Sequence, residues 1–152
     1  MAGELVILIG LPGAGKTSFF RQRFAATHAH LSMDSMPRGV RDKQARQLEQ
    51  VESALAGGGS AVLDNTNPRA ADRAGPIAVA RRHGARAVAC FFAPVVGESI
   101  RRNAARTPAV PKVAIFATLK KLEPPSFEEG FDEIHDVRAG EGGAFSVVQR
   151  AR

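Results

Sequence analysis

The feature that most constrains this chain is a glycine-rich turn set between an apolar run and a helix-like segment. The turn, Gly10–Thr17, reads GLPGAGKT and matches the pattern G-x-x-x-x-G-K-[ST] completely. The run before it, Glu4–Ile9, is rich in Leu, Ile and Val, which is typical of a strand buried on both faces of a parallel sheet. After it, Phe20 and Phe24 are one turn apart within Lys16–Thr27, which predicts a helix. Strand, glycine turn and helix in this order predict a phosphate-binding loop.

The residue types in the turn suit a polyphosphate. Glycines let successive N–H groups curve around phosphate oxygens, and the helix N-terminus adds partial positive charge. Lys16 is expected to bridge the terminal phosphates, and the Thr17 hydroxyl to hold Mg²⁺. Ser18 either reaches a phosphate or is an ordinary residue of the first helical turn. The predicted cofactors are ATP, or another nucleoside triphosphate, and Mg²⁺. The predicted nucleotide contacts are Gly10, Pro12, Gly13, Ala14, Gly15, Lys16, Thr17 and Ser18.

The rest of the chain alternates short apolar runs with helical patterns. This predicts an α/β fold of the P-loop NTPase type, with a parallel sheet of about five strands and helices on both faces, as in adenylate kinase. We expect one domain over residues 1–152, a helical lid at about 98–123, and a flexible tail at 139–152. The later predicted strands are His30–Met33, Ser60–Leu63, Ala85–Ala93 and Ile134–Val137, with Ala144–Gln149 as a further edge strand. The later predicted helices cover residues 45–55, 67–83, 98–106 and 111–122.

Composition agrees with a globular domain and concentrates positive charge in one region. The 152 residues are 44% hydrophobic and carry a formal net charge of +6. The excess lies between Arg69 and Arg106, where it indicates either solvated helix faces or anionic substrates. The apolar runs are too short to span a bilayer, so no membrane partner is expected. A single cysteine, Cys90, makes a reducing cytoplasm the expected location.

Two aspartates follow predicted strands at the sheet edge where ligands bind. Asp64 ends the third strand, the position where P-loop proteins place a carboxylate that orients Mg²⁺. Asp34 ends the second strand and is a candidate general base, although an aspartate at a strand end is also a routine turn residue.

Over about residues 4–137, the sequence resembles the kinase domain of polynucleotide 5′-hydroxyl kinases, including the kinase half of polynucleotide kinase/phosphatase. The resemblance implies transfer of the γ-phosphate of ATP to a 5′-hydroxyl end of RNA or DNA. It also implies that Asp34 is the base and that Arg102 and Arg106 are lid arginines over the triphosphate, with a solvated helix face as the alternative. The matching motifs are Gly10–Thr17 followed by Phe19, Leu63–Pro68 with Arg73 downstream, Arg102–Arg106, Val110-Pro111 and Glu128–Phe131.

On the acceptor side, the resemblance places Thr66, Asn67 and Arg73 near the substrate. Asn67 is also a candidate helix cap, because a proline follows it. Arg38 and Arg41 both qualify to hold the acceptor's phosphate. Arg41 is slightly preferred, since residues 37–39 read as a turn that leads into the next helix. The predicted catalytic set is Asp34, Lys16, Arg102 and Arg106.

Two alternatives remain open at the level of sequence. The same fold serves small hydroxyl acceptors such as nucleosides, sugars or antibiotics, and a nucleotide-dependent binding module without kinase activity is a further possibility. Family members usually carry a phosphatase or ligase in the same chain. Neither fits in 152 residues, so such an activity is expected from a separate polypeptide. The chain contains no Trp or Tyr, so base stacking would depend on Phe or Arg. Nothing in the sequence indicates an oligomeric state.

Overall fold

A computed structural model describes residues 2–106 and 109–152, so Met1 and two residues of the predicted lid, Thr107 and Pro108, lie outside the described residues. The strands are β1 Glu4–Ile9, β2 Ala29–Leu31, β3 Ala61–Asp64, β4 Arg86–Phe92, β5 Glu133–Ala139 and β6 Phe145–Gln149. The helices are α1 Lys16–Arg23, α2 Lys43–Leu55, α3 Ala70–Arg82, α4 Val96–Ala105 and α5 Lys112–Lys121. Short 3-10 turns occupy Met33–Ser35, Ala56–Gly58, Phe127–Glu129 and Glu141–Gly143.

One six-stranded sheet organises these elements in the order β2-β3-β1-β4-β5-β6. Neighbours from β2 to β5 pair in parallel, and β6 pairs antiparallel to β5. The central strand β1 is flanked by β3 and β4, with Leu5 opposite Ala61 on one side and Ala87 on the other. The predicted fold class is confirmed, and the glycine turn after β1 therefore lies at the carboxyl edge of the middle of the sheet.

The two faces of β1 belong to different apolar clusters, as its uninterrupted hydrophobic sequence predicts. Leu5, Ile7 and Ile9 face the cluster that includes residues of α2 and α3. Val6 and Leu8 face the cluster that includes two phenylalanines of α1. Because helices cover both faces, β1 and the phosphate loop that follows it are held rigidly.

The C-terminal residues form part of the sheet, which corrects the expectation of a flexible tail at 139–152. Strand β6 pairs with β5 along Val137↔Val147 and its neighbours. Arg150 then donates to Asp136 Oδ1 at 2.6 Å. The glycine-rich stretch that suggested flexibility is a tight turn between the two strands, Glu141–Gly143.

Two predicted helix boundaries are also wrong. Helix α1 ends at Arg23 rather than Thr27. Helix α3 begins at Ala70, and the Arg69 N–H donates to Asp72 Oδ2 at 3.0 Å across its first turn. Asn67 therefore does not cap this helix. Its backbone has a left-handed φ of 44°, and its side chain serves the strands instead.

None of the helices in the described ranges is long and apolar enough to cross a bilayer.

Candidate functional site

The phosphate loop joins β1 to α1 and is fixed by contacts on both sides. The Gly10 N–H donates to the Thr66 carbonyl at 3.1 Å, which ties the loop to the segment after β3. Gly13 and Gly15 have left-handed φ values of 80° and 96°. A Cβ on Gly13 would collide with the carbonyl oxygen of Ser99 in α4. Glycine is therefore required at Gly13 both by backbone conformation and by the close approach of α4.

Lys16 lies buried against the loop that it serves. Its Nζ donates to the Leu11 carbonyl at 2.7 Å and to the Gly10 carbonyl at 3.1 Å. Burial lowers its pKa from 10.5 to about 8, and nearby Arg106 adds to the lowering, while Asp64 and Asp34 act to raise it. An anion bound in the loop would favour the charged ammonium, so this lysine is suited to bind phosphate.

Thr17 and Asp64 lie together at the start of α1 and the end of β3. The Thr17 hydroxyl donates to Asp64 Oδ2 at 2.7 Å. Asp64 is buried, with 6% of its surface exposed. A hydroxyl and a carboxylate at this spacing are oxygen ligands of the kind that Mg²⁺ binds in P-loop sites, so the donor set fits the predicted ion.

His30 is a contact of Asp64 that sequence reasoning missed. Its Nε2 lies 2.8 Å from Asp64 Oδ2, and its ring stacks on Phe20 with the centroids 4.2 Å apart. The imidazole therefore fixes the orientation of the carboxylate. The pairing of β2 with β3 places His30 opposite Val62, close to the end of β3, and only knowledge of that register would reveal the contact.

One cleft of about 560 Å³ collects most of the predicted catalytic and nucleotide-binding side chains. The predicted residues that do not line it include Arg38, Arg41, Gly10 and Ala14. Arg21, Met33, Asn65 and Val110 line the cleft without having been predicted. The predicted residues that line it are Pro12, Gly13, Gly15, Lys16, Thr17, Ser18, Asp34, Asp64, Thr66, Arg102 and Arg106.

Asp34 is exposed and does not lie on a strand, because β2 ends at Leu31. It lies on the 3-10 turn Met33–Ser35, where its N–H donates to Ser32 Oγ at 3.2 Å. Asn65 Oδ1 accepts the Met33 N–H at 2.9 Å. Asn65 follows Asp64 directly, so this bond holds the turn bearing Asp34 close to the proposed Mg²⁺ residues.

The two arginines predicted to act in a lid come from the C-terminal part of α4 and the residue after it. Arg102 Nη1 lies 3.8 Å from Glu98 Oε2 on the same helix, and Arg106 follows the last residue of α4. Between them, the buried Asn103 accepts the Val110 N–H at 3.0 Å and donates to its carbonyl at 2.6 Å. Asn103 therefore anchors Val110, shortly before α5 begins, and keeps it at the cleft.

Arg73 is fully buried, which corrects the expectation that it contacts the acceptor. Its Nε and Nη2 donate to the two carboxylate oxygens of Glu129 at 2.8 and 3.2 Å. Its Nη1 donates to the carbonyls of Asn67 and Glu123 at 3.2 and 3.1 Å. A bidentate ion pair with two further carbonyl bonds cross-links α3 to the segments on either side of it. The guanidinium is thus held within the fold rather than presented to a ligand.

Asn67 is likewise occupied by the backbone. Its side-chain amide donates to the Leu8 carbonyl at 2.7 Å, and the residue is only 8% exposed. Leu8 lies on β1, so Asn67 links the end of β1 to the loop after β3. This amide is therefore engaged within the fold rather than free for the expected acceptor contact. Thr66, which lines the cleft, remains a predicted acceptor contact.

Arg38 and Arg41 are both exposed on the connection between the Met33–Ser35 turn and α2. Helix α2 begins at Lys43, and Asp42 caps it by accepting the Ala45 N–H at 3.1 Å. Arg41 therefore precedes the helix, so the argument that preferred it is wrong. Both arginines stay predicted acceptor contacts.

The fold and this site define a P-loop NTPase domain. A family model described as an AAA domain matches residues 5–125, and the chain belongs to that family. The predicted resemblance to P-loop polynucleotide kinases is also confirmed, since a curated relative and a solved structure match this chain.

The relatives support this placement. The chain is 29% identical over 143 residues to a protein of Acanthamoeba polyphaga mimivirus named "Putative bifunctional polynucleotide phosphatase/kinase", covering 88% of this chain and 33% of the relative. It thus spans about a third of that curated relative's length. The crystal structure of a fungal RNA kinase matches with a TM-score of 0.69 and 14% identity, covering 93% of this chain and 40% of the other. A gluconokinase from Sinorhizobium meliloti 1021 matches with a TM-score of 0.67 and 19% identity, covering 93% and 85%. At these identities the two structures show the shared fold.

Proposed function

We propose that this domain is an ATP-dependent kinase that transfers the γ-phosphate to a 5′-hydroxyl end of RNA or DNA. The observation that carries the proposal is the single cleft in which the phosphate loop, the Thr17–Asp64 pair, Asp34 and two lid arginines meet. The mimivirus relative supports a polynucleotide acceptor by its name, and the fungal RNA kinase supports the fold.

The triphosphate would lie along the loop, with the N–H groups of Gly13–Lys16 facing the phosphates. Lys16 would exchange its two loop carbonyls for phosphate oxygens when nucleotide binds. Thr17 and Asp64 would hold Mg²⁺, which when bound supplies charge neutralisation at the β- and γ-phosphates. The guanidinium groups of Arg102 and Arg106 would bind the oxygens on which negative charge develops during transfer.

Asp34 would accept the proton of the attacking hydroxyl. Its exposed carboxylate lines the same cleft as Lys16, at the side open to an acceptor. In a loose transition state, the proton leaves the hydroxyl late, so an ordinary carboxylate suffices as the base. The Met33 N–H donates to Asn65 Oδ1, which would keep this carboxylate at the edge of the cleft, where it would meet a hydroxyl in line with the γ-phosphate.

The wider context of the reaction follows the same resemblance. We expect the domain to act in the cytoplasm in healing nucleic acid ends. A phosphatase or ligase activity, if it accompanies this one, would come from a separate polypeptide or from a further part of a longer chain.

The test is transfer of labelled γ-phosphate from ATP to 5′-hydroxyl RNA and DNA oligonucleotides, with free nucleosides, gluconate and other sugars as competing acceptors. We expect oligonucleotides to be phosphorylated, and Asp34→Asn to lower kcat by about 10²–10⁴ while leaving ATP affinity unchanged. The control, Glu49→Gln, changes an exposed carboxylate of α2 outside the cleft. Phosphorylation of a small acceptor with no transfer to oligonucleotides would contradict the proposal, and full activity of Asp34→Asn would remove Asp34 as the base.

A further inference from the structure

A second cavity adjoins the phosphate cleft and has no role in the mechanism above. This side groove, of about 410 Å³, lies between α2 and α3 and within the size range of small-ligand sites. It shares Met33, Asn65 and Thr66 with the phosphate cleft, so the two cavities meet beside Asp34. An acceptor with its hydroxyl at Asp34 can therefore extend directly into the side groove.

The walls of the side groove suit a flat heterocycle with phosphates outside it. Leu48, Pro68 and Pro76 supply apolar surface. Arg69 and Lys121 also line the groove, and both are exposed. Asp72 Oδ2 lies 4.0 Å from Arg69 Nε, so the three side chains leave a net positive charge at the groove. Gly75 on α3 keeps the groove open, because a Cβ at this position would lie only 3.2 Å from Leu48 Cδ2.

Gln47 lines the side groove, and its buried amide nitrogen has no partner among the described residues. The residue as a whole is 4% exposed. Two linked hydrogen bonds fix the orientation of the Gln47 side-chain amide. The Met33 N–H donates to Asn65 Oδ1 at 2.9 Å, so Asn65 Nδ2 must be the donor to Gln47 Oε1, at 2.7 Å. That leaves Nε2, with two hydrogens, as the free end of the Gln47 amide. A buried, unpartnered donor that lines a cavity indicates a ligand with an acceptor atom.

We infer that the side groove binds the base of the acceptor's 5′-terminal nucleotide, with Gln47 Nε2 donating to a ring nitrogen or carbonyl of that base. The inference rests on the proposed function and adds the part of the substrate that the enzyme recognises. The base packs against Leu48 and Pro68, while the sugar spans Thr66 and Met33 and brings the 5′-oxygen to Asp34. Every nucleobase carries an acceptor atom, so the groove selects for a base rather than for one sequence.

The test compares two 5′-hydroxyl oligonucleotides that differ only in the first residue, one with a base and one abasic. We expect the wild-type protein to prefer the base-bearing acceptor by at least about tenfold in kcat/KM. Gln47→Leu removes the donor, and Gly75→Met fills the groove. Both variants should lower kcat/KM for the base-bearing acceptor towards the abasic value. Turnover of the abasic acceptor should stay nearly unchanged, and a protein that had merely lost stability would not show this selective loss.

Gln50→Leu is the matched control, since Gln50 is on the same helix but lines a different surface depression. It should keep the wild-type preference. Equal use of the two acceptors by the wild-type protein, or an unchanged preference in both groove variants, would overturn the inference while leaving 5′-kinase activity established. If no oligonucleotide is phosphorylated at all, the proposed function itself fails, and the inference with it.

Discussion

The Thr17 hydroxyl donates a hydrogen bond of 2.7 Å to Asp64 Oδ2, joining the first turn of α1 to the end of β3. Forty-six residues separate these two side chains in the sequence, yet they meet because β1 and β3 are neighbours in the sheet. The same carboxylate oxygen lies 2.8 Å from His30 Nε2. Asp64 is thus held on two sides at the position where P-loop proteins place a carboxylate that orients Mg²⁺.

Replacing Asp64 by Asn should weaken nucleotide binding chiefly when Mg²⁺ is present. The variant retains an acceptor for the Thr17 hydroxyl but loses the negative charge that attracts the cation. We expect at least a tenfold loss of ATP affinity with Mg²⁺ and little change in its absence, measured by isothermal titration calorimetry. Equal losses under both conditions would indicate a structural role for Asp64 instead.

ATP binding should become weaker as the pH rises through about 8. Burial lowers the pKa of Lys16 to about 8 in the free protein, so the side chain is mostly protonated below this pH and mostly neutral above it. Bound phosphates favour the charged form and raise the pKa, so binding takes up a proton when the pH exceeds 8. Calorimetry at pH 9 in buffers of different ionisation enthalpy should detect uptake approaching one proton. Lys16→Met should bind weakly and show no such uptake, and wild-type uptake equal to that of this variant would contradict the assignment.

Loss of Arg73 should reduce stability more than it affects chemistry. Arg73 is fully buried, so Arg73→Met leaves Glu129 without its bidentate partner and two carbonyls without a donor. We expect the free energy of unfolding to fall by about 3–5 kcal/mol, measured by urea denaturation. Arg86→Met, which removes an exposed ion pair with Glu133, is the control and should cost at most about 1 kcal/mol. Unchanged stability with a large loss of acceptor affinity would restore Arg73 to the acceptor site.

The lid arginines should matter for the rate of transfer. Arg102→Lys keeps the charge but loses the planar fork that binds two phosphate oxygens, and we expect kcat to fall by about 10²–10³. Arg101→Lys is the matched control, because Arg101 precedes Arg102 on α4 but does not line the phosphate cleft. Single-turnover transfer from ATP measures both. A comparable loss in the two variants would point to α4 itself rather than to the guanidinium of Arg102.

The sequence was sufficient to predict the part of the site that lies in one contiguous motif. Gly10–Thr17 predicted the phosphate loop, because a polyphosphate cradle requires glycines, a lysine and a hydroxyl at fixed spacing on one turn. The uninterrupted apolar run before it predicted a strand buried on both faces of a parallel sheet, and β1 is one of five parallel strands. The lining of one cleft by Asp34, Arg102 and Arg106 agrees with the resemblance.

Tertiary structure decided the roles of polar residues whose partners are distant in sequence. The resemblance placed Arg73 near the acceptor, but Glu129, 56 positions away, pairs with it in the core. Asn67 reads as a helix cap, but its amide meets Leu8 on β1. The strength of an ion pair or hydrogen bond depends on burial and on which strands are neighbours, and neither is encoded in local spacing. The sequence by itself determined that this chain binds phosphate at the end of β1, and only the fold decided which of its cations are free to do so.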